Sequence, residues 1–327
     1  MDKLKILIAA SEVVPFAKTG GLADVAGALP KALRALGHDV RIVMPRYYIV
    51  DREKYRLNFL DGELGVPMGI MGEMWAGVYE GILPGTDIPV YFIDHEGYFG
   101  RSGLYEENGA GFDDNDNRFI FFSRAVMQLA KKLHFHPDAV HANDWHTAAI
   151  PMFLNTIYAY DPQFAHTGSL LTIHNLQHQG KFYKGVMDVL AIGWEHYYEL
   201  EEHGSVNLLK GGIVHADAIS TVSSKYAQEI RTHEFGWGLD GLIDINSYKL
   251  HGILNGVDYE EWSPAVDPLI SRMYDTNEMS GKGVCKSVLQ KIFHLPQRED
   301  IPLIGLVGRL AEQKGIELIA TAIHQLL

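Results

Sequence analysis

The sequence predicts an α/β protein built on a parallel sheet with helices on both faces. Short aliphatic runs that suit buried strands alternate along the chain with segments whose apolar residues recur at helical spacing. Glycines and other turn residues separate these segments, as expected for repeated strand–helix units.

The first unit is the clearest. KILIAASE, residues 5–12, suits a strand buried on both faces, and HDVRIVMP, residues 38–45, suits the strand that follows the helix. Gly37 is a helix stop signal. The helix is predicted from an apolar stripe of Leu22, Val25, Ala26, Leu29, Leu33 and Leu36. Strand, turn, helix and strand together form a βαβ unit.

The same alternation continues along the chain. Further strands are predicted at residues 88–94, 137–144, 168–175 and 217–223. Further helices are predicted at residues 117–133, 145–160, 206–216, 224–232 and 282–295, the fourth with Ser223 or Ser224 as N-cap. Residues 60–91 predict a hairpin excursion. Residues 99–117 predict a long loop, and long loops in compact domains are often functional.

The regular alternation pauses near residue 251, where turn residues cluster. We therefore expect a complete N-terminal Rossmann-like domain at residues 1–250, followed at residues 251–327 by a crossover segment and the incomplete start of a second domain. Residues 301–327 predict one strand, a loop with Gly308 and Gly315, and one helix. A lone strand and helix cannot bury their apolar faces, so this part either docks on the first domain or belongs to a longer protein.

Bulk properties restrict the class of protein. The formal net charge of −13 argues against a nucleic-acid backbone or an anionic membrane as the main partner. Cys285 is the single cysteine, which excludes an internal disulfide and suits a reducing compartment. The N-terminus lacks signal-peptide architecture, and no apolar run reaches membrane-spanning length. A cytoplasmic protein is therefore expected.

KTGG, residues 18–21, precedes the first predicted helix and looks like a phosphate-binding turn. The unpaired N–H groups of a helix N-terminus favour anions, Gly20 and Gly21 permit close approach, and Lys18 adds a positive charge. This stretch matches neither the P-loop nor the dinucleotide fingerprint. Taken alone, a pair of glycines more often marks a tight turn with a solvated lysine than a phosphate site.

Other polar residues also follow predicted strands, where ligands bind in open parallel sheets. HANDWH, residues 141–146, offers metal-ligand types, but a helix N-cap at Asn143 or Asp144 is the favoured interpretation. His174 follows a buried strand and is interpreted as a ligand contact, although a histidine there can also be a satisfied core residue. Arg309 and Lys314 flank a loop that is either a solvated surface loop or a second phosphate clamp.

The chain resembles the glycogen and starch synthases of the bacterial and plant type, which are retaining glycosyltransferases of the two-domain GT-B architecture. The resemblance covers essentially the whole chain and rests on seven motifs in order. They are KTGGLADV (18–25), HANDWHT (141–147), TIHNLQHQG (172–180), NLLKGGIVHADAISTVS (207–223), FGWGLDG (235–241), ILNGVDYEEWSP (253–264) and VGRLAEQKG (307–315).

The resemblance implies transfer of glucose from ADP-glucose to the non-reducing end of an α-1,4-glucan, without a cofactor or a metal. Lys18, Gly20 and Gly21 would contact the donor diphosphate, and Asp24 would shape that site. His174 would lie beside the donor glucose. Asp144 and Asn175 would line the sugar side of the site, and Asn255 would lie at the domain crossover. Arg309 and Lys314 would contact the diphosphate from the second domain.

Two alternatives remain open. The family's FEPCGL segment, which holds the donor sugar and nucleotide, does not occur in the sequence, so we expect this chain to be a poor enzyme alone. It could act as a glucan- or nucleotide-binding fragment without turnover. Another α/β nucleotide enzyme, such as an epimerase or a dehydrogenase, is the third class. The turn of the first strand–helix unit, residues 18–21, lacks the G-x-G-x-x-G pattern, which counts against the dehydrogenase.

Overall fold

The computed structural model describes residues 3–308, 310 and 314–326. The chain divides into two compact units, one ending at Gly256 and the other beginning at Val257. No helix in these described ranges is both long and apolar enough to cross a lipid bilayer.

The first unit is built on a ten-stranded mixed sheet. In chain order the strands of this unit are β1 (Lys5–Ala9), β2 (Asp39–Pro45), β3 (Asn58–Phe59), β4 (Leu64–Pro67), β5 (Glu73–Ile82), β6 (Pro89–Asp94), β7 (Glu106–Glu107), β8 (Ala110–Gly111), β9 (Ala139–Asn143), β10 (Gly168–Ile173), β11 (Lys181–Tyr183), β12 (Glu201–Glu202), β13 (Ser205–Asn207), β14 (Ala218–Thr221) and β15 (Leu250–Gly252). The order across the large sheet is β15-β14-β10-β9-β1-β2-β6-β5-β3, with β4 also paired to β5.

Pairing is parallel from β15 through β6, and β5 runs antiparallel to β6, β4 and β3. The predicted parallel sheet and the predicted hairpin excursion are therefore both confirmed. Two small antiparallel sheets lie apart from it, β11-β13-β12 and β7-β8.

The α-helices occur between the strands and in the second unit. They are α1 (Gly21–Ala35), α2 (Glu96–Phe99), α3 (Asn115–Lys132), α4 (Ala149–Asn155), α5 (Val186–Leu190), α6 (Tyr197–Leu200), α7 (Leu208–His215), α8 (Ser224–Glu229), α9 (Asp240–Ile245), α10 (Ser280–Ile292) and α11 (Ile316–Leu326). Short 3₁₀ turns at Trp145–Thr147 and Trp194–His196 precede α4 and α6. The N-cap of α8 is Ser223, whose hydroxyl accepts the N–H of Tyr226 at 2.9 Å.

Helix α1 forms where its periodicity predicts, but its buried face is displaced from the predicted stripe. Leu36 lies beyond the last helical residue and is 66% exposed. The buried residues of α1 are Leu22, Ala23, Ala26, Gly27 and Pro30. Gly27 and Pro30 are buried because the helix packs closely, and a Cβ at Gly27 would lie 2.8 Å from the Val14 carbonyl oxygen.

Two predicted elements are corrected by the structure. The helix predicted at residues 145–160 is a 3₁₀ turn followed by α4, which ends at Asn155. Residues 301–307, predicted as a strand, carry no strand pairing among the described residues, and Ile304 and Val307 are strongly exposed. A strand is defined by hydrogen bonds to a neighbour, so an aliphatic run without one stays an extended segment. The helix that follows, α11, forms as predicted.

Helix α3 lies at the centre of the first unit's core. It is buried around most of its circumference, and its Phe119, Phe121 and Phe122 are at most 1% exposed. Its Arg118 is fully buried and donates to the Tyr98 and Leu104 carbonyls. These bonds fix the loop before α3, which is the long loop that the sequence predicts and which contains only the two-residue strands β7 and β8.

Candidate active site

The polar segments singled out in the first unit follow neighbouring strands of one sheet edge. β14, β10, β9 and β1 are consecutive across the sheet and parallel. Residues after the carboxyl end of each strand therefore meet at the same edge, where open α/β sheets bind ligands. Glu12 follows β1, Asp144 follows β9, and His174 follows β10.

The KTGG turn is held by Glu12, which sequence reasoning missed. The Glu12 carboxylate accepts the N–H of Thr19, the N–H of Gly20 at 3.2 Å and the Thr19 hydroxyl at 2.7 Å. Tyr105 donates its hydroxyl to the same carboxylate at 2.7 Å. Part of the backbone predicted to bind an anion is therefore occupied by an internal carboxylate, 4% exposed. The signal in the sequence that could have identified Glu12 is its position as an acidic residue directly after an aliphatic strand.

Gly20 and Gly21 leave open space at the start of α1. A Cβ built on either residue would meet nothing within 4 Å. Gly20 has an extended backbone (φ −149°), and Gly21 is the first residue of α1 without a positive φ. Neither packing nor backbone conformation therefore requires glycine here. Accessible backbone beside a helix N-terminus is what an approaching anion needs.

Lys18 and Asp24 form an ion pair beside this open backbone. The Lys18 ammonium lies 2.6 Å from the Asp24 carboxylate, and both side chains are partly exposed. Asp24 occupies the first turn of α1, where a negative charge is favourable to the helix dipole. The predicted positive charge is thus present at the turn, with its position set by a carboxylate.

Asp144 occupies the N-cap position of the 3₁₀ turn that follows β9, as the favoured interpretation predicts, but its side chain does not act as the cap. It makes no side-chain capping bond, and its carboxylate instead accepts the N–H of His174 at 2.7 Å and of Asn175 at 3.4 Å. Its φ of +55° is uncommon for a residue with a side chain. Burial raises the pKa of the Asp144 carboxyl to about 7, despite the opposing effect of these two N–H groups.

His174 is oriented by Asn143. The Asn143 amide nitrogen donates to the carbonyls of Ala9 (3.1 Å) and His141 (3.4 Å), so its oxygen faces His174 Nε2 at 2.9 Å. An amide oxygen only accepts, which requires a proton on Nε2. Burial lowers the pKa of His174 to about 4, so the ring is neutral at pH 7 and Nδ1 is its unprotonated nitrogen.

The loop after His174 is fixed by short-range bonds. The Asn175 side-chain oxygen accepts the Gln177 N–H at 3.0 Å, and the Tyr226 hydroxyl accepts the Leu176 N–H at 3.1 Å. Together with Asp144, these bonds restrain consecutive residues of the loop. Asn175 therefore lies at the predicted edge, where the parallel strands end, and also helps to set the shape of the loop.

His141 and His146 are core residues. His141 Nε2 lies 2.6 Å from the Thr172 hydroxyl, and burial lowers its pKa to about 3. The His146 ring packs on Tyr105 and Trp145, with centroids 4.6 and 4.2 Å away, and burial lowers its pKa. Neither joins Asp144 in a group of potential metal ligands within the described part of the chain.

Three further predicted site residues are Asn255, Lys314 and Arg309. Asn255 is exposed and follows β15, and its N–H donates to the Val222 carbonyl at 3.4 Å. Lys314 is exposed and belongs to the second unit, directly before Gly315 and α11. Arg309 falls outside the described residues, so the predicted clamp stays a prediction.

A pocket of about 420 Å³ adjoins the loop after His174. Its lining combines aromatic and amide residues with glycines, a histidine and a lysine. The lining residues are Gly111, Phe112, Asn115, Trp145, Gln177, His178, Gln179, Gly180, Lys181 and Phe182. Gly180 has a φ of +64°, and a Cβ there would lie 2.4 Å from the Trp145 ring. Glycine at this position therefore allows the Trp145 ring to lie in the pocket wall. Sequence reasoning did not find this pocket.

Comparisons with known proteins agree on one family. A family model described as the starch synthase catalytic domain matches residues 5–245. Glycogen synthase 1 of Geobacter metallireducens is 58% identical over all of this chain and 66% of its own length. Glycogen synthase of Anaeromyxobacter sp. (strain Fw109-5) is 45% identical over 99% of this chain and 67% of its own length.

A solved structure gives the same result for the fold. The catalytic domain of starch synthase IV from Arabidopsis thaliana, bound to ADP and acarbose, matches with a TM-score of 0.89 and 32% identity. The match covers 99% of this chain and 66% of that one. The predicted α/β fold of GT-B type is thereby confirmed. The chain spans about two thirds of the length of these relatives.

Proposed function

Since the chain belongs to the family of starch synthase catalytic domains, we propose that the protein transfers glucose from ADP-glucose to the non-reducing end of an α-1,4-glucan, with retention of configuration. The observation that carries this proposal is the open backbone at Gly20 and Gly21, beside Lys18, at the sheet edge shared with His174. Such an arrangement suits a sugar nucleotide, whose diphosphate joins the nucleoside to the reacting sugar.

The KTGG turn is suited to the donor diphosphate. When the bond between glucose and ADP breaks, negative charge develops on the phosphate oxygen. Fixed positive groups there stabilise the transition state more than the ground state. Lys18 and the first N–H groups of α1 supply such charge. A charge-assisted hydrogen bond contributes about 1.5–3 kcal/mol, and about 1.4 kcal/mol changes a rate tenfold.

Glu12 makes this turn rigid without closing it. Its carboxylate binds the N–H groups of Thr19 and Gly20, which precede α1. The N-terminus of α1 itself, beginning at Gly21, is left to face the ligand. A turn held before the ligand arrives loses less conformational entropy on binding and keeps its dipoles aimed at the reacting phosphate.

Asp144 and His174 are suited to the sugar side of the site. Through the His174 N–H, the Asp144 carboxylate sets the backbone that follows β10. The neutral His174 ring presents an unprotonated nitrogen that can accept a sugar hydroxyl without repelling charge that develops at the anomeric carbon. His174 is thus proposed as a substrate contact, and Asp144 as a positioning residue for it.

The pocket that contains Trp145 and Phe182 is proposed to take the glucan acceptor. Aromatic rings with a few amides and backbone groups are typical of concave sites for uncharged polar ligands. The pocket adjoins the His174 loop through Gln177 and Gln179, so an acceptor there is near the proposed donor sugar. The coarser assignment, a nucleotide sugar and a glucan as partners, follows from the family; a cytoplasmic location stays a prediction.

A transfer assay tests this function. The complete gene product that carries this sequence is incubated with ADP-glucose and glycogen, and both ADP release and glucose incorporation are measured. We expect the two to proceed in equal amounts and the new linkage to be α-1,4 by NMR. Incorporation from another sugar nucleotide alone, or ADP release without glucan growth, would contradict the proposal.

A further inference from the structure

Three potential metal ligands converge in the first unit, at some distance from the candidate active site. Glu199 Oε2 lies 2.7 Å from His196 Nδ1 and 2.9 Å from His215 Nε2, and the three ligand atoms all lie within 4.8 Å of one another. His196 ends the 3₁₀ turn before α6, Glu199 lies within α6, and His215 is the last residue of α7.

Local structure holds these side chains in place. His196 and Glu199 are three residues apart, which puts them on one face of the turn that leads into α6. The His215 side chain is only 8% exposed and points to the same carboxylate. Asn155 donates its amide to the His215 carbonyl at 2.6 Å, which fixes the end of α7.

The cluster lies at the opposite edge of the sheet from the candidate active site. Helix α7 begins beside the acceptor pocket, where the Leu208 N–H donates to the Gly180 carbonyl at 3.0 Å. Its eight residues then run roughly 12 Å to His215, at about 1.5 Å per residue. His215 directly precedes the segment leading into β14, and the far end of β14 reaches the candidate site.

We propose that His196, Glu199 and His215 form a binding site for a divalent transition-metal ion of the zinc class. Two imidazole nitrogens and one carboxylate oxygen match the donors that zinc takes in three-ligand protein sites, with water as the fourth ligand. Imidazole donors favour zinc, cobalt or nickel over magnesium and calcium. Ligand atoms around such an ion are roughly 3–3.5 Å apart at bond lengths of about 2.0–2.2 Å, so small side-chain movements would admit the ion.

A positive charge lies near the cluster and opposes the binding of a cation. The Lys249 ammonium donates to the carbonyls of Val214 and Ala216, on either side of His215 in the chain.

The metal would cross-link two elements. It would tie the 3₁₀ turn and α6 to the end of α7, a connection that the structure already makes through Glu199. Its role is therefore structural, and it supplies no step of the proposed transfer. The alternative is a metal-free clamp in which Glu199 simply accepts hydrogen bonds from two histidines.

Metal content after dialysis distinguishes these alternatives. Tag-free protein is stripped with a chelator, dialysed against equimolar to tenfold zinc chloride, and analysed by elemental mass spectrometry. We expect one zinc ion per chain, and a rise in the unfolding temperature of roughly 5 °C or more at saturating zinc. Cobalt chloride should give the intense visible absorption of a tetrahedral site.

The variants identify the site. His196→Ala, Glu199→Gln and His215→Ala should each lower zinc content at least tenfold and abolish the thermal shift. His233→Ala, which alters an exposed histidine outside the cluster, should keep both. His196 is the more exposed of the two histidines, so the His196→Ala protein should fold without zinc. It therefore tests zinc binding even if the His215→Ala protein does not fold. No bound zinc in the unaltered protein, or equal zinc in all four variants, would overturn the proposal in favour of the metal-free clamp.

Discussion

The Asp144 carboxylate accepts the backbone N–H of His174 at 2.7 Å, and so joins the ends of two neighbouring parallel strands. A buried carboxylate that accepts hydrogen bonds from the main chain sets the conformation of the loop after β10. It also sets the charge of the site beside that loop. The loop it holds continues into the proposed acceptor pocket at Gln177. One acidic residue therefore links the donor side of the candidate site to the acceptor side.

Asp144 should make stability depend on pH. Asp144→Asn keeps an oxygen for the His174 N–H but removes the ionisable group. The folded-state pKa of about 7 lies above the unfolded value of about 3.9, so the folded protein binds more protons in this range. Its free energy of unfolding should fall, relative to the variant, as pH rises from about 4 to about 7, by up to about 1.4 kcal/mol per unit.

Urea unfolding at pH 5, 6, 7 and 8 measures this difference. Comparison with the variant cancels the contribution of the buried histidines, which have lowered pKa values and act in the opposite direction. A difference that stays constant from pH 5 to 8 would show that Asp144 is ionised throughout, and the assigned raised pKa would be wrong.

Lys18→Ala should lower kcat/KM for ADP-glucose at least about tenfold, because one charge-assisted contact to the diphosphate is lost. The KM for glycogen should barely change. Lys225→Ala is the matched control, since Lys225 is also an exposed lysine paired with a carboxylate, that of Glu229. Equal donor kinetics in both variants would show that Lys18 is merely a surface charge.

Gly180→Ala should impair the acceptor site. Its φ is positive, and the new methyl group would lie 2.4 Å from the Trp145 ring, which must move. We expect the KM for glycogen to rise several-fold more than the KM for ADP-glucose. Gly204→Ala is the control, because Gly204 has a φ of +84° with nothing within 4 Å of an added Cβ. If both variants behaved alike, backbone strain rather than Trp145 would explain the effect.

Backbone protection should differ between the two units. In the 327-residue chain, amides of residues 301–308 should exchange faster than those of β1, because no strand pairing protects them among the described residues. β1 is paired on both sides, by β2 and β9. Hydrogen exchange followed by mass spectrometry measures both peptides, and equal, strong protection would contradict the expectation.

Local patterns predicted most of the first unit because its strands and helices are encoded by nearby residues. β1 lies within its predicted segment, and α1 begins only one residue before the predicted helix. The run at residues 301–307 failed as a strand because aliphatic composition does not guarantee a partner. Leu36 failed as a core residue because it lies past the end of α1 and is exposed.

The candidate site was less predictable because its contacts are non-local. Tyr105 meets Glu12 from 93 residues away, and Asp144 reaches His174 from 30 residues away. Each N–H of a turn can be satisfied by any nearby oxygen, and the sequence does not state which one will be close. The order of the strands, set by the whole sheet, brings these residues together.

The central claim is that the open backbone at Gly21 receives the donor diphosphate, and Gly21→Val tests it most directly. The added side chain would meet nothing within 4 Å at its Cβ, so the fold should stay intact. Gly27→Ala is the contrast, since a Cβ there lies 2.8 Å from the Val14 carbonyl oxygen and should lower the unfolding temperature.

The decisive measurement is kcat/KM for ADP-glucose in the Gly21→Val protein, at an unfolding temperature equal to that of the unaltered protein. The account predicts a fall of more than about tenfold, the loss of at least one charge-assisted contact, with the KM for glycogen unchanged. Unaltered donor kinetics in a folded Gly21→Val protein would contradict it, because the space at Gly21 would then hold no phosphate.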